Sequence, residues 1–185
     1  QLFGLENIYD HYLSEGAADR MCAYLKERWE KPGSRYHVMK EMFACLHKLE
    51  VLSADWPKKV RHYEKVLFGG GRKQYEALHQ YRMPDKIAEQ LLSYFIYVYF
   101  AGAVYDGMPY SKVKLAVIST MLIEDMVCAK AAEKGQLSFE AIADAAHSYA
   151  REVEHSDLNL QRLSIMFRHQ KCFHIGRLCG ALLEW

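Results

Sequence analysis

Apolar side chains recur every three or four positions along most of this chain, which is the period of an α-helix with one buried face. Strict apolar–polar alternation, the pattern of a strand, is scarce, and there are only four prolines. The pattern predicts an all-α fold, with a single bundle of about eight helices forming one domain over residues 1–185. The predicted helices cover residues 17–30, 35–52, 56–68, 72–82, 84–106, 111–134, 139–155, 158–170 and 172–184.

Residues with known preferences for helix ends support several of these boundaries. Ser111 and Ser138 stand where a side-chain oxygen can cap the first turn, and either Ser156 or Asp157 can do so for the helix that follows. Gly135 comes after a long apolar stretch and tolerates the left-handed conformation that ends many helices. The helix over 139–155 is therefore expected to stop, or to restart, close to His155.

The most apolar stretch runs from Leu91 to Tyr105, where almost every residue is aliphatic or aromatic. A membrane-spanning helix needs about 20 such residues and this run has about 15, so no membrane contact is expected. Burying each large side chain contributes roughly 1.5–3 kcal/mol to the free energy of folding. The stretch predicts a central helix that is buried on most faces and pairs with the next helix in an antiparallel, aromatic-rich hairpin over 84–134.

The composition excludes several classes of protein. Half of the 185 residues are hydrophobic, and the formal net charge is +1, so no basic surface for nucleic acid is expected. The five cysteines are odd in number and contain no C-x-x-C pair, which argues against a disulfide framework and for a reducing, cytoplasmic location. Because the chain opens on Gln1 and continues directly into apolar residues, we expect it to be a fragment of a longer protein.

Polar residues crowd into one stretch, YAREVEHSDLNLQRL, which occupies residues 149–163. The crowded residues are Arg151, Glu152, Glu154, His155, Asp157 and Asn159. At helical spacing Arg151 can pair with Glu154, and Glu152 lies near His155. Two interpretations fit equally well at this point. The stretch is either a polar junction between two helices, held by local hydrogen bonds, or a functional surface.

The spacing Glu-x-x-His occurs twice, at Glu76–His79 and Glu152–His155. In di-iron helical bundles this spacing presents two ligands on one helix face, and two further glutamates complete the site. Glu89 and Glu124 are the candidates for those positions. A di-iron site requires all of these residues to converge, and chance alone produces this common spacing roughly once in a chain of this composition.

Three segments in a fixed order resemble a known family: LEVLSADWPKKV at 49–60, EQLLSYFIYVYFAGAVYDG at 89–107, and GQLSFEAIADAAHSYAREVEHSDLNL at 135–160. This order is similar to the C-terminal, helical half of the flagellin lysine-N-methylases, over roughly residues 36–168. The resemblance implies methyl transfer from S-adenosylmethionine to lysines of flagellin. It also implies a cysteine-rich N-terminal region that binds an iron–sulfur cluster or metal, which the scattered cysteines here do not reproduce.

The resemblance assigns functional roles to the crowded stretch. Glu154 and His155 become candidates for removing or holding the proton of the lysine amine, with Arg151 orienting the carboxylate. Glu152, Ser156 and Asp157 would belong to a substrate or inter-domain surface, together with Asp106 at the turn after the aromatic helix. Flagellin and the chain's own N-terminal cysteine-rich region are the expected partners, and no glycine-rich loop marks where S-adenosylmethionine would bind.

Two other functions remain open on the sequence alone. A non-enzymatic helical domain that binds a ligand or dimerises would use the aromatic helix to line its pocket or interface. The di-iron carboxylate bundle described above is the third possibility.

Overall fold

The computed structural model describes residues 14–29 and 34–184. These residues form helices and helical turns but no strand, which confirms the predicted all-α class. Within the described residues, nine α-helices have eight residues or more, and a tenth has a single turn. They are α1 (Ala17–Trp29), α2 (Ser34–Leu46), α3 (Trp56–Phe68), α4 (Gly71–Leu78), α5 (Asp85–Tyr99), α6 (Ala103–Asp106), α7 (Pro109–Lys134), α8 (Phe139–Tyr149), α9 (Asp157–His169) and α10 (Ile175–Leu183).

The predicted helix ends are mostly confirmed. Ser138 and Ser156 cap α8 and α9, and each hydroxyl accepts a hydrogen bond from the backbone N–H three residues later. Gly135 ends α7 with a positive φ of 70°. The prediction for Ser111 was wrong, because α7 already begins at Pro109, whose fixed φ suits the first helical turn.

Two helices are shorter than their apolar pattern predicted. The helix expected over 35–52 ends at Leu46, and a loop follows that the junction between α8 and α9 holds by hydrogen bonds. The helix expected over 139–155 leaves the α-helical geometry at Tyr149 and continues as one wider, π-helical turn over Ala150–Glu154. Periodicity alone could not locate either end, because both depend on contacts between segments about 100 residues apart.

Helix α7 forms the centre of the bundle. Fifteen of its 26 residues are buried, and they face in every direction around the helix. Five of them are small (Ala116, Ser119, Cys128, Ala129 and Ala131), so neighbouring helices can approach closely at these positions. In the described part of the chain, the hydrophobic core joins residues of α7 to those of α2, α3, α4, α5, α8, α9 and α10.

The aromatic helix is not the buried centre that its sequence predicted. Helix α5 packs along α7 as a hairpin, but Phe95 is the one residue of α5 that is fully buried. Tyr97 and Tyr105 are 88% and 93% exposed, because no described helix covers the outer side of α5 and α6. The stretch Asp85–Asp106 is long and apolar enough to cross a membrane by length and composition alone.

Candidate functional site

The wider turn over Ala150–Glu154 decides where the side chains of the crowded stretch point. Each residue of a π-helical turn advances less around the axis than in an α-helix, so the α-helical pairings are broken. Glu152 and Val153 turn inward and are 1% and 0% exposed, whereas Arg151 and His155 lie at the surface. The crowded stretch is therefore divided into an inner and an outer half.

The inner half fastens the α8–α9 junction to the loop after α2. The buried Glu152 carboxylate accepts hydrogen bonds from the backbone N–H groups of Leu52 and Ser53, both at 3.1 Å through Oε2. The Ser156 hydroxyl, besides capping α9, donates a hydrogen bond to Glu50 Oε2 at 3.0 Å. These hydrogen bonds fit the first interpretation of the stretch, a polar junction between two helices, and we call this set of contacts the lock.

Asn159 completes the same lock from the first turn of α9 and is fully buried. Its Oδ1 accepts the backbone N–H of Glu50 at 2.6 Å, while Nδ2 donates to the carbonyl oxygens of Glu50 and Glu152. All the hydrogen-bonding atoms of the amide are thus used within the chain. A buried amide satisfied in this way holds backbone segments in register and has no capacity left for a ligand.

The outer half contains a small cluster of different chemistry. Glu154 Oε2 accepts hydrogen bonds from the hydroxyl groups of Tyr94 and Tyr99, both at 3.0 Å. Partial burial, followed by the neighbouring carboxylate, raises the pKa of both tyrosines, so both stay protonated donors. Within the described residues, Oε1 of Glu154 has no hydrogen-bond partner. The cluster presents one unused carboxylate oxygen beside two aromatic rings.

The other predicted site residues do not join this cluster. Arg151 places its Nε 3.5 Å from Glu152 Oε1, so the expected pairing of Arg151 with Glu154 was wrong. His155 and Asp157 are exposed at the start of α9. Asp106 forms an ion pair with Lys112 at 2.7 Å and accepts the backbone N–H of Met108, and both contacts lower its pKa.

The two Glu-x-x-His pairs do not converge, so the di-iron hypothesis was wrong. Glu76 pairs with Arg72 at 2.5 Å, whereas Glu152 binds the loop after α2. No group of three or more His, Cys, Asp or Glu side chains in the described chain is placed to hold a metal ion. The same finding means that the described cysteines do not fit the ligand set of an iron–sulfur cluster, which needs four such side chains together.

A buried ionic cluster at the middle of α7 was missed by the sequence reasoning. Arg35 Nη2 lies 3.0 Å from Asp125 Oδ1 and 3.4 Å from Glu124 Oε2, and Tyr75 donates its hydroxyl proton to Asp125 Oδ2 at 2.8 Å. His79 approaches the same aspartate at 3.7 Å. Burial raises the pKa of Glu124 to about 7. The adjacent acids Glu124 and Asp125 inside an apolar helix were the signal that could have revealed it.

Comparison of the sequence with known proteins identifies the family of the chain. A family model described as the FliB lysine N-methylase C-terminal domain matches residues 1–181 of the 185. Searches of curated proteins and of solved structures found no match. The matched range includes all three segments that carried the resemblance and extends beyond them at both ends. The chain belongs to the FliB lysine N-methylase C-terminal domain family.

Proposed function

We propose that this chain is the helical domain of a flagellin lysine N-methylase and takes part in transferring methyl groups from S-adenosylmethionine to lysine side chains of flagellin. The observation that carries the proposal is the family match over residues 1–181. Any iron–sulfur cluster would belong to a separate cysteine-rich N-terminal region, which we propose as a partner of this domain. We propose a cytoplasmic location, which the five unpaired cysteines support.

The cluster of Glu154, Tyr94 and Tyr99 is our candidate for receiving the lysine amine. A lysine ammonium is attracted both to a carboxylate and to the faces of aromatic rings. The unused Oε1 of Glu154 offers the acceptor, and the two tyrosine hydroxyls hold the carboxylate in place. Methyl transfer requires a neutral amine, so a carboxylate at this point can accept the proton that the amine gives up.

His155 and Arg151 have weaker support for a catalytic role. Both side chains are exposed, and Arg151 is drawn towards Glu152 on the inner half of the junction. Glu152, through Oε2, and Ser156, through its hydroxyl group, form hydrogen bonds within the lock. We therefore propose Glu154 as the residue of this stretch that contacts the substrate, with Asp157 and His155 at the edge of the surface on which flagellin would lie.

Methyl incorporation tests this proposal. Tritiated S-adenosylmethionine and flagellin monomer are incubated with this chain and the cysteine-rich region, and label on lysine is counted. Glu154→Gln is expected to lower incorporation by about 10²–10⁴-fold, the usual contribution of a general base. Glu89→Gln, which changes an exposed glutamate on α5, the helix that carries Tyr94 and Tyr99, should leave incorporation unchanged. Equal incorporation by the two variants, with native circular dichroism, would exclude the role of Glu154. No lysine labelling with wild type would exclude the methylase function.

Self-association is a second candidate function, favoured by the exposed aromatic face. We define this face by the outward side chains of α5, of α6 and of the short turn between them, which are Tyr94, Ile96, Tyr97, Phe100, Val104 and Tyr105. From their exposed fractions they present about 700 Å² of mainly apolar surface, taking roughly 200 Å² for each aromatic side chain. The largest such patch on a monomer is typically about 300–600 Å², and a stable interface buries about 800 Å² on each partner.

The composition of the aromatic face suits a second copy of the same chain. From Gln90 to Tyr105 the sequence contains no charged residue, so two copies can meet without repulsion. Tyrosine is enriched in protein interfaces, whereas helices that lie on membranes carry Lys and Arg beside their apolar face. Analytical ultracentrifugation should show a dimer that Tyr97→Asp converts to a monomer, while Tyr24→Asp, on α1, does not. A wild-type monomer that binds to neutral vesicles would instead support a membrane contact and refute self-association.

A further inference from the structure

An open cleft lies at the opposite end of α9 from the α8–α9 junction. It has a volume of about 1150 Å³ and is formed between α2, the start of α7, the end of α9 and the start of α10. A cleft of this size is large enough to hold a small molecule. Its lining includes Lys114, Arg168 and Arg177, whereas Glu41 is the one acid among the described lining residues.

Lys114 is a buried cation without an acidic partner. The residue is 6% exposed, and its ammonium group donates a hydrogen bond to the carbonyl oxygen of Phe167 at 2.8 Å. The same nitrogen lies 4.4 Å from the ring centroid of Tyr110. In the part of the chain that the structure describes, no carboxylate lies within 4 Å of it, and burial lowers its pKa. A buried charge held only by neutral groups is costly, so an anion from outside would stabilise it.

The start of α10 faces the same cleft. Ile175 and Gly176 line it, and their backbone N–H groups belong to the first helical turn, where they have no acceptor within the helix. The residue before them, His174, provides no side-chain cap. The first turn of a helix carries partial positive charge and commonly binds anions. The helix end and the Lys114 ammonium therefore favour the same kind of ligand.

The remaining charged residues of the cleft also favour an anionic ligand. Arg177 forms a two-pronged ion pair with Glu41, at 2.9 and 2.6 Å, which neutralises the acid. Arg168 has no carboxylate within 4 Å in the described chain, so its charge adds to that of Lys114. Counted over its lysine, its two arginines and its glutamate, the lining of the cleft carries an excess of two positive charges.

We propose that this cleft binds a small anionic molecule, whose carboxylate or phosphate group lies between the Lys114 ammonium and the N-terminus of α10. The site goes beyond the proposed function, because it is separate from Glu154. Ser156 caps α9 at the junction, and Phe167 of α9 lines the cleft about 17 Å further along the helix axis, at 1.5 Å per residue. The lining of the cleft includes neither Glu154 nor Tyr94 and Tyr99, the residues of the cluster proposed to receive the lysine amine.

Calorimetric titration with two probes tests the site. Inorganic phosphate and S-adenosylmethionine, which carries a carboxylate, are each titrated into the wild-type chain and into Lys114→Met and Lys73→Met. We expect saturable binding to the wild-type chain. The affinity should fall at least tenfold in Lys114→Met and stay unchanged in Lys73→Met, which alters the exposed surface of α4. The probe that binds more tightly identifies the phosphate or the carboxylate as the preferred group. No saturable binding by the folded wild type, or equal binding by Lys114→Met, would overturn the proposal.

A second measurement keeps the proposal testable if Lys114→Met fails to fold. The backbone amide resonance of Gly176 in the wild-type chain is followed by NMR as each probe is added. Its N–H is expected to shift in a saturable manner and to return when sodium chloride is raised, because an ionic contact is screened by salt. An unmoved Gly176 resonance, with shifts elsewhere on the surface, would place the anion outside this cleft and overturn the proposal.

Discussion

The lock around Glu152 gives the most direct test of how the α8–α9 junction works. Glu152→Ala removes an ionised acceptor from the N–H groups of Leu52 and Ser53. A hydrogen bond to a charged group contributes about 1.5–3 kcal/mol, and a buried donor left without a partner is destabilising. Because the loop is partly exposed, water can replace some of this interaction. We expect the free energy of unfolding to fall by about 3 kcal/mol.

Urea denaturation followed by circular dichroism at 222 nm measures this change, and His155→Ala serves as the control. His155 lies three residues away on the exposed side of the same junction, so its substitution should alter stability by less than about 0.5 kcal/mol. For a chain of this length, a loss of 3 kcal/mol lowers the melting temperature by about 6–12 °C. If Glu152→Ala were as stable as His155→Ala, the hydrogen bonds to the loop would not hold the junction, and the lock interpretation would be refuted.

Two further predictions concern helix α7. The pKa of Glu124 is raised from its ordinary value of 4.5 to about 7, so between these pH values the folded state holds a proton that the unfolded state has lost. The contribution of Glu124 to the free energy of unfolding is therefore complete below pH 4.5 and falls by about 3 kcal/mol as the pH rises to 7. Urea denaturation midpoints measured across this pH range should show the fall in the wild type and lack it in Glu124→Gln. Gly135→Ala should lower the free energy of unfolding by about 1–2 kcal/mol, because φ is 70° at this position and a residue with a Cβ is strained there. The added Cβ would meet no atom within 4 Å, so the backbone conformation alone accounts for the expected loss. Gly102→Ala, at φ −62°, is the matched control and should be neutral or slightly stabilising, and equal losses would contradict the conformational explanation.

Some residues of the candidate sites could be predicted from the sequence, and others could not. The crowded stretch 149–163 was visible in the sequence, and so was the start of α9 at Ser156. The division of that stretch was not visible, because it depends on one π-helical turn and on a loop about 100 residues earlier in the chain. The cleft around Lys114 gave no signal at all, since its cations come from separate helices and meet only after folding.

The sequence by itself determined the helices of this protein, because helical period, capping serines and Gly135 act over a few neighbouring residues. It also determined the family, through segments whose order can be read without any structure. Only the tertiary structure decided which helix is central. The hydrophobicity of α5 predicted that it would be the central helix, but burial depends on which neighbouring helices pack around it. Helix α7 is packed on several sides and buries fifteen residues, whereas α5 buries one. For the same reason the partners of Glu152, Glu154 and Lys114 became known only from the packed fold.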